Sequence, residues 1–131
     1  MTKKLLKKLL KMPQNLSAAR KVQKNWTNET IWFDAAPYAS VGVEKAKKVF
    51  DEAFGNLQSC DVKILDMRTF LNENSALVCS VQKWDTVNKD GSKNPPFMMR
   101  QTDYLEKRGC EWKILHEHTS AAQDWGGTID E

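Results

Sequence analysis

The stretch Met99–Ser120, "MRQTDYLEKRGCEWKILHEHTS", decides the fold. Two runs of rough polar–apolar alternation flank the polar break "KRGCE". Period-two alternation is the signature of a half-buried strand, and a glycine-containing break between two such runs marks a hairpin. The stretch therefore predicts one strand around Phe97–Glu106 and a second around Trp112–Ser120. Side chains alternate across a strand. Uninterrupted alternation places Trp112, Ile114, His116, His118 and Ser120 on one face of the last strand, with Lys113, Leu115, Glu117 and Thr119 on the other. Arg100 shares a face of its strand with Thr102 and Tyr104.

The same pattern continues upstream. Val62–Leu71 and Ala76–Thr86 read as two further strands, joined through the turn strings "NENS" and "NKDGSKNPP". Before them the period changes. "VEKAKKVFDEAF", residues 43–54, repeats apolar positions at Val43, Ala46, Val49, Phe50, Ala53 and Phe54, which is helical spacing. Gly42 and Gly55 bracket that helix, and Glu44 with Lys48 adds an i,i+4 pair. "TIWFDAAPYASVG", Thr30–Gly42, reads as a short strand around Ile31–Ala35 followed by a turn at Pro37. Leu16, Ala19, Val22 and Trp26 again have helical spacing, with Ser17 as a cap. Helices followed by an antiparallel meander imply an α+β domain in which a curved sheet wraps over N-terminal helices.

The 131 residues suit one domain with one core, and 28% charged with 40% hydrophobic residues suits a globular chain. The net charge of +3 is unevenly placed. Lys3, Lys4, Lys7, Lys8 and Lys11 carry five of the twenty basic groups, leaving fifteen basic against seventeen acidic residues elsewhere. The body thus lacks the clustered basic face that binding nucleic acid needs, and no nucleic-acid partner is expected. "KKLLKKLLK" places leucines and lysines on opposite helix faces, so residues 1–14 form a basic amphipathic segment. It either lies on the domain or meets a membrane surface; its length and the nearby Pro13 favour the domain. Residues 15–122 form the domain and 123–131 a tail. Cys60, Cys79 and Cys110 include no CxxC pair and read as reduced thiols in a cytoplasmic protein. No metal or organic cofactor is implied, since no paired thiols accompany the only histidines, His116 and His118.

The order of elements and three strings resemble a known superfamily. "FDAAPYASVG" (Phe33–Gly42), "MRQTDYLEK" (Met99–Lys107) and "WKILHEHTS" (Trp112–Ser120) resemble the cone-shaped α+β barrels of the nuclear transport factor two and ketosteroid isomerase superfamily. The second and third strings are similar to SnoaL-like domains and to the association domain of calmodulin-dependent kinase. The resemblance spans roughly residues 15–122. It implies a cone-shaped barrel with an apolar pocket, and hosts for that fold range from isomerases, cyclases and dehydratases to assembly modules.

Carried onto this chain, the resemblance makes Asp34 a proton-shuttling base walled by Trp32, Phe33 and Tyr38. The alternative is that Asp34 caps its turn. It makes Asp103 or its neighbour Thr102 the position of a neutral acid facing a developing oxyanion. The isomerases place a second donor, a tyrosine, on the first helix; this chain has no tyrosine before Tyr38, so Tyr38 or Tyr104 would have to replace it. Arg100 is either a binder of ligand carboxylate or a partner for Glu106, Asp85 or Asp103. By resemblance Thr119 faces the pocket, which turns the histidines to the outer sheet surface and a homodimer contact. The rival reading makes His116 a pocket acid–base beside Asp34. Two functions follow: a small-molecule enzyme with a small apolar or aromatic ligand, in which Asp34 and Asp103 are catalytic, or a non-catalytic binding or oligomer-forming module.

Overall fold

The computed structural model describes residues 25–34 and 40–121. Seven elements follow in chain order: β1 (Trp26–Phe33), β2 (Ser40–Val41), α1 (Val43–Phe54), β3 (Leu57–Leu71), β4 (Ser75–Asn88), β5 (Phe97–Arg108) and β6 (Glu111–Ala121). The strands form one six-stranded sheet in the order β2-β1-β6-β5-β4-β3. From β3 to β6 the chain is the expected antiparallel meander, and β1 closes against β6 in parallel. The α+β cone architecture expected from the sequence is the one observed, as an open mixed sheet with α1 packed at its β1 end.

The turns follow local chemistry. Gly109 adopts φ 64 in the two-residue turn between β5 and β6, and Gly91 adopts φ 87 in the β4–β5 loop. That loop is tied by Asn88, Ser92 and Asn94, whose side-chain amides and hydroxyl bond one another and Thr86. Helix α1 begins after Gly42, whose φ of 88 and ψ of 153 belong to a region open essentially to glycine alone. Its N–H reaches Thr30 O at 3.0 Å, drawing the start of the helix onto β1. Glu44 pairs with Lys47 rather than the expected Lys48, in an exposed contact of little energetic weight.

The expected helix over residues 16–26 lies mostly outside the described residues, as does the turn at Pro37. Its last position is a correction: Trp26 begins β1. Trp26 is buried beside Trp32 at 4.9 Å between ring centroids and Phe50 at 5.6 Å. The aromatic packing continues through Phe54 and Trp84 to Phe97. Trp26 and Trp32, with Ala46, Ala76, Val78, Leu105 and Ile114, form the buried core, and Phe50 packs against it.

The uninterrupted alternation expected in β6 does not hold. The β5–β6 register slips between Tyr104 and Leu105: Leu105 pairs with Ile114, whereas Tyr104 pairs with His116. Leu115 is the extra residue of a β-bulge, and a bulge exchanges the faces on its two sides. Before it, Ile114 is buried and Trp112 packs on the core. After it, Glu117 and Thr119 join the core face, opposite Asp103 and Gln101. Trp112 and Ile114 therefore do not share a face with His116 and His118. A second irregularity in β1, between Trp26 and Ile31, matches the first, and Thr30 fills it by donating its hydroxyl to Ile114 O at 2.6 Å.

Candidate functional site

Register converts the concave face into rows. One row is Ala76, Leu105 and Ile114, closed by Trp26, and it is apolar and buried. The next is Val78, Asp103 and Glu117, closed by Trp32. The third is Ser80, Gln101 and Thr119, with Asp34 at its end through a 3.2 Å hydrogen bond from Thr119 Oγ1 to Asp34 Oδ1. A polar layer thus lies across the middle of an otherwise apolar and aromatic surface, and three carboxyls belong to it.

Buried polar groups need partners. Gln101 Nε2 donates to Asp103 Oδ2 at 2.8 Å. Asp103 has 0% exposure, and among the described residues no N–H or alcohol hydroxyl reaches its other oxygen. The Glu117 carboxyl is its register neighbour on β6, and of two adjacent carboxyls only a protonated one can donate to the other. Burial pushes Asp103 up to about 7 against the pull of the hydrogen bonds from Gln101 and Glu117. Burial pushes Glu117 well above the ordinary carboxyl range, and the charges of Asp103 and Asp34 push it the same way. The two carboxyls lie side by side and titrate as a pair, each raised by burial. Asp34 is also raised by burial, an effect that the Thr119 hydrogen bond partly offsets.

Accessibility separates the pair. Asp103 is sealed, whereas Glu117 and Asp34 keep partial exposure. Glu117 is crowded enough for desolvation to dominate its titration and yet remains reachable, as expected of a group on a concave wall. Chemically, the face offers a proton donor, Glu117, and a partly desolvated carboxylate, Asp34, beside the rings of Trp32 and Trp26.

The residues singled out from the sequence separate accordingly. Asp34, Asp103 and Trp32 lie together on the concave side. Arg100 and Tyr104 are exposed, on the face of β5 opposite the buried Gln101, Asp103 and Leu105. His116 is also on the outer face, its Nδ1 2.9 Å from Ile31 O and its ring 5.1 Å from Phe33. The bulge puts Glu117, not His116, opposite Asp103. Tyr38 is outside the described residues. Glu117, Gln101 and Gln82 were not singled out. The available signal was the pocket-facing assignment of Thr119, because a residue two positions earlier shares its face. Among the described residues no group of three or more His, Cys, Asp or Glu side chains could hold a metal ion, and no helix is long and apolar enough to cross a membrane.

The profile of the SnoaL-like domain matches residues 4–124. No curated protein matches the chain. Solved structures share the fold at low identity. A nuclear transport factor 2-like protein of unknown function from Pseudomonas putida KT2440 superposes with a TM-score of 0.73 at 17% identity, over 93% of this chain and 87% of its own. A nuclear transport factor 2-like superfamily protein from Salmonella enterica serovar Typhimurium LT2 gives 0.70 at 17% identity, over 85% and 82%. A ketosteroid isomerase-like protein from Erwinia carotovora atroseptica SCRI1043 gives 0.65 at 19% identity, over 79% and 81%.

Proposed function

The chain belongs to the SnoaL-like domain family, and from that premise we propose that its concave face is a proton-transfer site for a small, uncharged, apolar or aromatic molecule. One observation carries this reading: Asp34 and Glu117 stand on one concave face, burial raising both, Glu117 well above the ordinary carboxyl range and Asp34 against the pull of the hydrogen bond from Thr119. Pairs of carboxyls held apart in this way supply a base and an acid at one pH. Asp34 takes a proton from a carbon next to a carbonyl. Glu117 donates to the carbonyl oxygen as charge develops on it; Asp34 then returns the proton to the same carbon, or to the γ-carbon of a conjugated dienol, and the oxygen gives its proton back to Glu117. Asp103 acts through Glu117, since it has no surface to offer a ligand. Trp32 and Trp26 supply apolar wall.

The test is solvent deuterium exchange into small cyclic enones and hydroxy-aromatic ketones, followed by NMR. Asp34→Asn keeps an oxygen for Thr119 and removes the base. It should lower exchange by about a hundredfold while the melting temperature stays near that of the parent. Equal exchange by the parent and the variant would refute the role of Asp34.

A specific feature favours a second, compatible reading in which the outer face makes a homodimer. Two adjacent rows there run Leu77, Tyr104, His116 and Ile31, then Cys79, Thr102, His118 and Phe33. Leu77, Tyr104, Ile31 and Phe33 are all exposed large side chains. A contiguous patch of this kind on one face marks an association surface.

A further inference from the structure

A chain of buried hydrogen bonds runs from Trp84 to the acid pair. An indole nitrogen can only donate. Trp84 Nε1 lies 3.0 Å from Gln82 Oε1, so the Gln82 amide turns its oxygen to Trp84 and its nitrogen away. That nitrogen donates to Ser80 Oγ at 3.0 Å and to Gln101 Oε1 at 3.1 Å. Gln101, its oxygen so engaged, points its own nitrogen at Asp103 Oδ2. Each bond runs in the same sense, from Trp84 through Gln82 and Gln101 to Asp103. Trp84, Gln82 and Gln101 are 5%, 1% and 3% exposed, so bulk water is not at hand to satisfy a reversed amide. Turning one amide alone would set buried donor against donor.

We infer that Trp84 is a positioning residue for the acid pair: through Gln82 and Gln101 it makes Asp103 the acceptor and leaves the shared proton on Glu117. This rests on the proposed function only in naming Glu117 as the acid. Among the described residues, Asp34 is the other charged group acting on Glu117, and its negative charge holds the proton in the same place. Loss of the indole N–H frees both amides to turn together. The reversed chain presents Gln101 Oε1 to Asp103, which can answer it only by holding the proton itself.

The experiment uses the full chain labelled with carbon-13 at the Asp and Glu side-chain carboxyls, observed by NMR just above neutral pH. Asp103→Asn and Glu117→Gln assign the two resonances. The parent should show Glu117 protonated and Asp103 ionised. Trp84→Phe keeps a ring against Phe97 and removes the donor; the proton ratio of Glu117 to Asp103 should fall about tenfold. Gln82→Met breaks the chain with Trp84 intact and should give the same shift, and it decides the matter if Trp84→Phe does not fold. A folded variant with the parental ratio, or a parent whose proton sits on Asp103, would overturn the inference. These resonances do not depend on turnover. A failure of Asp34 as a base therefore leaves them as expected, and the two readings fail separately.

Discussion

Replacing Asp103 by Asn should change how stability depends on pH. The carboxyl is held at about 7 in the fold against an ordinary 3.8. Between those values the folded chain binds a proton that the unfolded chain has released. Its stabilising contribution is therefore complete below the unfolded value and is lost as pH rises through the folded one. Each pH unit with one proton of difference takes away about 1.4 kcal/mol, and Asp103 is half deprotonated by pH 7, so between about pH 5 and pH 7 the parent loses about 2 kcal/mol through this group. Asn keeps an oxygen for Gln101 and offers an N–H to Glu117, so the network stays bonded while the titration disappears. Urea unfolding at several pH values measures both proteins, and subtracting the two curves removes every titrating group that is not coupled to Asp103. The variant should gain on the parent by about 2 kcal/mol across that interval, with the m-value unchanged. Parallel curves would refute the buried, proton-holding state of Asp103.

Gly42→Ala should cost about 1–3 kcal/mol, because φ 88 with ψ 153 is strained for any side chain and the new Cβ would stand 3.3 Å from Asn28 O; thermal melts measure this, and an unchanged melting temperature would contradict that backbone conformation. Phe33→Glu should convert a dimer at micromolar concentration into a monomer, read by light scattering, because it puts a charge into the exposed aromatic patch of the outer face. A parent that scatters as a monomer would end the dimer reading.

Much of the fold was legible in the amino-acid order. Period-two runs marked β3 to β6, helical spacing marked α1, and Gly91 and Gly109 marked turns whose positive φ they supply. Asp34 and Asp103 came from resemblance and lie together on the concave side. Glu117, the partly exposed member of the acid pair, did not. Continued from its turn without interruption, the hairpin register would set Asp103 opposite His116. One extra residue at Leu115 replaces His116 by Glu117 in the row and sends the histidines outward. The same slip separates Trp112 and Ile114 from the outer patch.

Periodicity is a property of a single segment, so the sequence by itself determined which segments are strands and where the helix and turns lie. Which face a residue occupies after a bulge depends on how many residues each neighbouring strand spends over the same distance. Thr30 bonding Ile114 O couples the irregularity in β1 to that in β6, and these two residues lie 84 apart in the chain. The relay from Trp84 to Asp103 likewise joins two strands through Gln82 and Gln101. Its direction comes from one donor-only indole meeting one amide oxygen, a meeting that only the packed sheet brings about.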